Sequence, residues 1–82
     1  MITVKLPSLL YKEAGEKEYQ SNAKNVGDVL KEIPKRYGSE FSQYTKHYAV
    51  FVNGVDSREL KGKRTKLKSG DEVQIFLVIA GG

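Results

Sequence analysis

Residues 69–82 read SGDEVQIFLVIAGG, and this stretch decides the fold. Positions 72–79 form the most apolar run of the chain, which predicts a strand in the centre of a sheet. The polar residues 69–71 form the turn that precedes this strand. A central strand has a partner on each edge, so the rest of the chain must supply the neighbouring strands.

The N-terminus predicts one of these neighbours. Residues 2–6 alternate between apolar and polar side chains, as in a half-buried strand, and Pro7 belongs at its end because it cannot donate to a ladder. A turn around Ala14-Gly15 then leads into a second short strand over 16–20. The two strands form an antiparallel hairpin, and we expect the first of them to lie beside the last strand of the chain.

A second hairpin follows the midpoint of the chain. Residues 48–52 (YAVFV) precede Asn53-Gly54, the dipeptide that most strongly indicates a tight hairpin turn. A short partner strand begins at Val55. This hairpin supplies the third and fourth strands of the sheet.

A helix separates the two hairpins. Asn25 can cap it, with Asp28 at the third helical position in the manner of a capping box. Pro34 should kink or end the helix near its own position, and Gly38 is a natural stop. One helix on one face of a mixed sheet is an α+β roll, and this element order is the β-grasp arrangement of ubiquitin. The apolar residues at helical spacing form a single stripe: Val26, Val29, Leu30, Ile33 and Tyr37.

The length and composition bound the class of protein. Eighty-two residues make one small domain, which we place at 1–79, followed by a flexible tail at 80–82. The chain has no cysteine, which excludes a disulfide scaffold, a thiolate zinc site and a cysteine nucleophile. No apolar run is long enough to span a membrane, and the N-terminus lacks the apolar stretch of a signal peptide. We therefore expect a cytoplasmic protein.

The side chains do not form a catalytic or metal-binding pattern. His47 is the only histidine, so no His-based metal site or proton relay can be built from it alone. Acidic pairs such as Asp71-Glu72 fall in turns, and the glycines at 54, 62 and 70 are separate turn residues rather than a phosphate-binding loop. We expect no bound metal and no enzymatic activity of the chain's own.

The two final glycines carry the strongest chemical signal. Glycine has no Cβ, so Gly81 and Gly82 can thread a narrow channel and lie close to a ligand. The Gly82 carboxylate is a poor electrophile until adenylation by ATP provides a better leaving group, after which a sulfur or amine nucleophile can attack the carbonyl. An inert, frayed end is the alternative interpretation of the same residues.

Strand parity predicts a docking face close to these glycines. Positions 73, 75 and 77 should face the helix, which turns Phe76 and Val78 toward the open face of the sheet. The same alternation places Phe51 on that face, beside Phe76. Exposed aromatic residues on one face usually bind a partner. The alternative is that loop residues cover them, namely Tyr44 or Tyr48.

Charge is distributed unevenly along the chain. The net charge is +4, and the basic run 61–68 (KGKRTKLK) contains no acidic residue. Such a run can bind phosphates, but no aromatic residue interleaves it to stack nucleic-acid bases. We therefore predict a solvated loop and no specific nucleic-acid site.

The chain resembles the sulfur-carrier branch of the ubiquitin-like proteins, the MoaD/ThiS type, over nearly its whole length. The terminal Gly-Gly and the Gly-Asp-Glu turn before the last strand are the most specific parts of this resemblance. Different segments are most similar to the small subunits of molybdopterin synthase, to the thiamine sulfur carriers and to the carriers for thiocarboxylate-dependent cysteine synthesis. The matching segments are ITVKLP at 2–7, AGEKE at 14–18, NVGDVL at 25–30, VNG at 52–54, LKSGDEV at 67–73 and FLVIAGG at 76–82.

The resemblance implies a β-grasp carrier that binds no cofactor itself and is a monomer when free. A ubiquitin-activating-type enzyme would use ATP and magnesium to adenylate Gly82. Sulfur transfer would then give a thiocarboxylate for a sulfur-accepting synthase subunit in molybdopterin, thiamine or cysteine biosynthesis. Gly81 and Gly82 match the family's tail, and Phe76 matches an aromatic residue that packs on the activating enzyme. Phe51 falls where ubiquitin has an exposed isoleucine.

Two other functions stay open at this point. The first is a protein modifier that is conjugated to lysines through Gly82. The second is a binding module that uses the basic run on RNA, with Gly-Gly incidental. The basic run also departs from the molybdopterin and thiamine carriers, which are usually acidic overall, so their partners need not fit here.

Overall fold

The computed structural model describes residues 1–39, 41 and 48–77, and the strands in this part of the chain form one sheet. The strands are β1 (Ile2–Lys5), β2 (Glu18–Ser21), β3 (Tyr48–Val52), β4 (Val55–Asp56) and β5 (Glu72–Leu77). The helices are α1 (Tyr11–Ala14) and α2 (Val26–Tyr37). Short 3-10 turns lie at Ser8–Leu10, Ser57–Glu59 and Gly62–Arg64.

The sheet confirms the predicted topology. Its strand order is β2-β1-β5-β3-β4, so the last strand lies in the centre. β5 pairs in parallel with β1, with Val73 beside Val4, and antiparallel with β3, with Ile75 beside Val50. The buried side of this mixed sheet packs against α2, which is the α+β, β-grasp arrangement expected from the sequence.

The N-terminal hairpin forms, but its second strand begins later than predicted. Instead of a simple turn, the chain makes the Ser8–Leu10 turn and then α1, which ends at Gly15 in the left-handed region (φ 76°). The Leu6 N–H donates to the Lys17 carbonyl at 2.9 Å, so residues 16 and 17 complete the return of the chain. β2 therefore covers Glu18–Ser21 in place of 16–20. At the other end, positions 78 and 79 of the predicted last strand lie outside the described residues.

Helix α2 begins where the sequence predicts. Asn25 Oδ1 accepts a hydrogen bond from the Asp28 N–H at 2.8 Å, which is the N-cap. The Asp28 carboxylate accepts from the Lys24 N–H at 3.4 Å, one residue before the position that a capping box uses. The apolar stripe anchors the helix in the core through four buried residues, namely Val26, Val29, Leu30 and Ile33.

Pro34 does not end the helix. The helix continues to Tyr37 and stops at Gly38, so of the two predicted effects of Pro34, a kink or an end, the end does not occur, and the predicted stop at Gly38 is confirmed. The Gly38 N–H donates to the Pro34 carbonyl at 3.0 Å and closes the last turn. The Tyr37 ring lies 6.0 Å from the ring of Tyr19 and 5.8 Å from that of Phe41. This aromatic packing offsets the backbone hydrogen bond that proline cannot make.

The hairpin turn after β3 is joined to the turn before β5. Asn53 (φ 50°) and Gly54 (φ 85°) both lie in the left-handed region, as a two-residue hairpin turn requires. The Asn53 side chain donates to Asp71 Oδ1 at 3.0 Å and accepts from the Glu72 N–H at 2.9 Å. Asp71 Oδ2 also accepts from the Lys68 N–H at 2.9 Å. One carboxylate therefore holds two turns together.

This carboxylate should make stability depend on pH. The hydrogen bonds from the Lys68 N–H and from Asn53 lower the pKa of Asp71 below its ordinary value. A lowered pKa in the folded state gives stability that is present above the unfolded pKa and is lost as pH falls through the folded one. We expect Asp71→Asn, which keeps one acceptor oxygen, to lower the free energy of unfolding by about 1 kcal/mol at pH 7. Urea melts from pH 7 to pH 2 should show this difference shrinking below about pH 4. A pH-independent difference would contradict the assignment.

In the described part of the chain, no helix has both the length and the apolar character needed to cross a membrane. The predicted domain limits, 1–79 with a tail at 80–82, stay a prediction, because residues 78–82 lie outside those described.

Candidate functional site

The two faces of the sheet differ as strand parity predicts. On β5, Val73 and Ile75 are fully buried against the helix. Phe76, the residue after Ile75, is 48% exposed. On β3, Val50 and Val52 are buried, and Phe51 is half-buried on the opposite side. The predicted outward orientation of Phe51 and Phe76 is therefore confirmed. Their role in binding a partner stays a prediction.

Phe51 and Phe76 form an aromatic pair on the open face of the sheet. Their ring centroids are 5.2 Å apart and their planes meet at 84°, which is an edge-to-face contact. In the β3–β5 register, Phe51 lies beside Gln74 and Phe76 beside Ala49, so the two rings meet on the diagonal. Diagonal neighbours of an antiparallel pair are within reach of aromatic side chains. The pair thus presents one continuous apolar surface instead of two separate rings.

Tyr48 does not cover this pair. It lies on the helix-facing side of β3, where it packs against the core and borders a cavity of about 160 Å³ together with Val26 and Leu30. Tyr44, the other residue considered as a cover, lies outside the described residues. So does Val78, the third residue predicted for the docking face.

Two concave regions adjoin the aromatic pair and share Phe76 and Gln74. One, of about 520 Å³, also borders Phe51, Gly54 and Glu72. The other, of about 370 Å³, reaches toward the Ser8–Leu10 turn. Its remaining lining residues are Leu6, Pro7, Ser8, Leu9, Tyr11 and Leu77.

The second region contains a residue that sequence reasoning missed. Leu9 is 63% exposed, although it is a large apolar side chain, because its neighbour Leu10 is the one that enters the core. The sequence does contain a signal for an exposed leucine here. Two adjacent leucines follow Pro7, and both side chains cannot face the core from a tight turn. Leu9 extends the apolar surface of Phe51 and Phe76 toward the end of β1.

Polar side chains surround this apolar surface. Lys5 and Glu72 form an exposed ion pair, with Nζ and Oε1 at 3.1 Å. The Gln74 amide donates to the Ile75 carbonyl at 3.1 Å, and the Gln20 amide on β2 donates to Thr3 Oγ1 on β1 at 2.9 Å. An exposed apolar patch with a polar rim is typical of a protein-binding surface.

A separate polar network joins β2 to α2, and its chemistry is structural. The Glu32 carboxylate accepts from Tyr19 Oη at 3.1 Å and from Ser21 Oγ at 2.7 Å, and Tyr37 Oη donates to Glu16 at 2.6 Å. Burial raises the pKa of Tyr19, and burial also raises the pKa of Tyr37 to about 12. Both phenols therefore stay neutral near pH 7 and act as donors, which gives them no role as bases.

The residues with the predicted covalent role lie beyond β5. Gly81 and Gly82, like His47, lie outside the described residues. Phe76 stands next to Leu77, the last described residue of β5, so the apolar surface adjoins the end of the strand from which 78–82 continue. Within 1–39, 41 and 48–77, no three His, Cys, Asp or Glu side chains come together as a metal site.

Comparison with known sequences gives consistent matches. Residues 4–82 match the ThiS family. A candidate sulfur carrier protein of Archaeoglobus fulgidus is 42% identical over 57 residues, 70% of this chain and 60% of that protein. Small archaeal modifier protein 3 of Haloferax volcanii is 35% identical over 63 residues, 70% of this chain and 68% of that protein. The match thus spans less than two thirds of the length of the Archaeoglobus relative.

Solved structures give the same fold. The BexX/CysO complex of Amycolatopsis orientalis contains a chain that is 25% identical, with a TM-score of 0.83 and full coverage of both chains. Small archaeal modifier protein 1 of Methanosarcina acetivorans is 28% identical, with a TM-score of 0.83 over 99% of this chain and 95% of that one.

In the described part of the chain, the sheet order and the one long helix packed on the sheet define a ubiquitin-like β-grasp protein. The match over residues 4–82 identifies the family within this class of fold. The chain belongs to the ThiS family, among relatives that include sulfur carriers and small archaeal modifier proteins.

Proposed function

We propose that this chain is a non-catalytic, cytoplasmic sulfur carrier whose reactive group is the carboxylate of Gly82. The proposal rests on one observation: the match to the ThiS family covers residues 4–82 and therefore includes Gly81 and Gly82. Neither glycine has a side chain that a core could use. Their inclusion in the match is therefore best explained by the chemistry of the backbone and its terminal carboxylate.

The proposed chemistry at the Gly82 carboxylate has two steps, adenylation and sulfur transfer. An oxygen of the Gly82 carboxylate attacks the α-phosphorus of ATP, pyrophosphate leaves, and an acyl adenylate forms. Hydrosulfide (HS⁻) then attacks the activated carbonyl carbon, the bond from that carbon to the AMP oxygen breaks, and AMP leaves, which gives the Gly82 thiocarboxylate. ATP and magnesium are used by the activating enzyme, and this chain supplies only the carboxylate and a surface for docking.

The docking surface proposed for the activating enzyme consists of Phe51, Phe76, Leu9 and Val78. The first three form the apolar surface already described, which stands beside the end of β5. An enzyme that holds this surface can guide the residues after Leu77 into its active site. The free chain would be a monomer, and a sulfur-accepting synthase subunit would later use an overlapping surface to receive the thiocarboxylate.

A second function rests on a specific observation. The chain is 35% identical to small archaeal modifier protein 3, and its fold matches small archaeal modifier protein 1 with a TM-score of 0.83. A protein modifier would use the same acyl adenylate, but a lysine amine would replace the sulfur nucleophile. Both functions therefore require Gly82 and differ only in the group that attacks it.

Intact-mass measurement on protein purified from the native host distinguishes the two functions. We expect a fraction of the chain to gain the mass difference between one sulfur and one oxygen atom, because a thiocarboxylate replaces one carboxylate oxygen. Fragmentation should locate this change at Gly82. The same chain produced in a host without the activating enzyme is the control and should show the unmodified mass alone.

Other results would change the proposal. Isopeptide-linked Gly82 on lysines of other proteins, without any sulfur-containing form, would favour the modifier. Mass changes located elsewhere in the chain would contradict both functions.

A further inference from the structure

The structure gathers six basic residues at one end of the molecule, which we call the basic end. The Val26 N–H donates to the Thr65 carbonyl at 3.0 Å, and the Leu67 N–H donates to the Lys24 carbonyl at 2.9 Å. These bonds attach the basic run to the start of α2 and bring Lys24 beside it. The basic end consists of Lys24, Lys61, Lys63, Arg64, Lys66 and Lys68, all of them exposed.

The backbone beneath these side chains is ordered by hydrogen bonds. The Thr65 N–H donates to the Gly62 carbonyl at 3.0 Å, and buried Thr65 accepts the Lys61 N–H on its Oγ1 at 3.0 Å. At Gly27, an added Cβ would lie 3.3 Å from the Lys63 carbonyl oxygen, so glycine allows the turn to approach the helix closely. The basic side chains are exposed, as expected for a solvated loop, and the run also contains a 3-10 turn at Gly62–Arg64 that is held against the helix.

The charge of the basic end is only partly balanced within the described part of the chain, where Asp71 interacts electrostatically with Lys68. The ion pairs found there use Lys5, Arg36 and Arg58, and none uses a side chain of the basic end. Asp28 and Asp71 lie at its margins, where each accepts a backbone N–H. Outside the basic end, the sequence holds eight Lys and Arg against ten Asp and Glu, a net charge of −2. The excess positive charge of the molecule thus lies at one end.

The basic end and the aromatic pair lie on opposite sides of the sheet. The basic end joins β5 through the turn at Ser69–Asp71, and so lies at the Glu72 end of that strand. It also packs on α2, whereas Phe51 and Phe76 lie on the opposite face of the sheet. A partner that covers the aromatic pair therefore leaves the basic end accessible.

From these observations we propose that the basic end is a second docking surface, which binds an acidic surface of a protein independently of the sheet face. This inference does not rest on the activation of Gly82. Complementary charge raises association rates and selects among partners. A small carrier with two separate surfaces can stay bound to one protein while another protein holds its sheet face.

The side chains favour an acidic protein over RNA. Binding of single-stranded RNA combines phosphate contacts with bases stacked on aromatic rings, and no aromatic residue lies within 61–68. Five of the six basic residues are lysines, which act as compact point charges and can pair with carboxylates without a planar, bidentate geometry. A fixed array of lysines without a stacking group suits carboxylates on a protein surface.

A titration of the isotopically labelled full chain with a decaglutamate peptide tests the proposal. At an ionic strength of about 0.05 M, where exposed charges are screened least, we expect shifts in the backbone amides of Lys24 and 61–68. The amides of Phe51 and Phe76 should not shift. Affinity should fall at least fivefold at about 0.15 M salt, because screening shortens the range of the charges.

Two variants of equal net charge provide the comparison. The triple variant Lys61→Gln, Lys63→Gln, Lys66→Gln should lose at least tenfold in affinity for decaglutamate. The control replaces three exposed lysines elsewhere and should stay within twofold of the wild type: Lys12→Gln, Lys17→Gln, Lys35→Gln. Equal losses in both would overturn the proposal, since net charge alone would then explain binding.

Other outcomes would also overturn it. Shifts at Phe51 and Phe76 would show that the two surfaces are not independent. The absence of any shift at low salt would show that the basic end does not bind carboxylates. Sequence-dependent binding of an RNA decamer, tighter than micromolar at about 0.15 M salt, would make this end a nucleic-acid site instead.

Discussion

A chain shortened by Gly81 and Gly82 is expected to fold as the full chain does and to lose adenylation altogether. The described core ends at Leu77, so the deletion removes no buried side chain. It does shorten the chain beyond β5 by about 7 Å of extended backbone, which withdraws the carboxylate from the active site of the activating enzyme. ATP–pyrophosphate exchange with the host's activating enzyme should fall to background. Circular dichroism and urea melts should match those of the full chain.

A length-preserving variant separates reach from the need for glycine. In Gly81→Ala, Gly82→Ala the carboxylate keeps its distance from Leu77, but two methyl groups enter any narrow channel around the chain. Loss of exchange here as well would indicate that the channel excludes Cβ atoms. Exchange at the wild-type rate by the shortened chain would refute the carrier function and, equally, the modifier function, because both begin at Gly82.

Phe76→Ala should mainly weaken docking to the activating enzyme, whereas Ile75→Ala should mainly lower the stability of the fold, although the two residues are neighbours on one strand. Phe76 is 48% exposed, so its truncation should lower the free energy of unfolding by only about 1 to 2 kcal/mol, part of it from the edge-to-face contact with Phe51. Its loss from a docking surface should nevertheless weaken binding to the activating enzyme tenfold or more, because aromatic anchors carry much of the energy of such interfaces. Ile75 is fully buried, and its truncation should cost about 2–5 kcal/mol of stability.

Denaturant melts and the half-saturating concentration in the exchange assay measure the two effects. Phe51→Ala should weaken docking in the same way as Phe76→Ala. Leu60→Ala is the matched control, since Leu60 is 46% exposed but borders neither concave region at the aromatic pair. A loss of 3 to 5 kcal/mol on Phe76→Ala, the size typical of a buried phenylalanine, would show that the ring belongs to the core. Unchanged docking would remove Phe76 from the proposed surface.

Local patterns predicted most of the sheet. Alternation over 2–6 and the Asn53-Gly54 turn are properties of neighbouring residues, and each gave the correct strand pairing. The parity that turned Phe51 and Phe76 outward is equally local, since successive side chains of a strand face opposite ways. The central position of β5 followed from its composition alone.

The parts that local patterns missed depend on contacts between distant residues. Pro34 is tolerated because Tyr37 packs against Tyr19, which comes from another element. Leu9 is exposed only because Leu10 fills the core, and two identical neighbours give no local reason for that choice. The basic run is held in place by Val26 and Lys24, about forty residues earlier in the sequence.

The parallel pairing of β1 with β5 has a consequence for biosynthesis. β1 cannot complete its pairing until β5 has been synthesised, because no fragment that ends before residue 72 contains the strand that joins the two hairpins. Contacts between the ends of a chain close a long loop and slow folding relative to local contacts. A nascent chain therefore exposes its apolar strands until synthesis has passed β5. The sheet face proposed for docking is therefore complete only after β5 has been synthesised as far as Leu77.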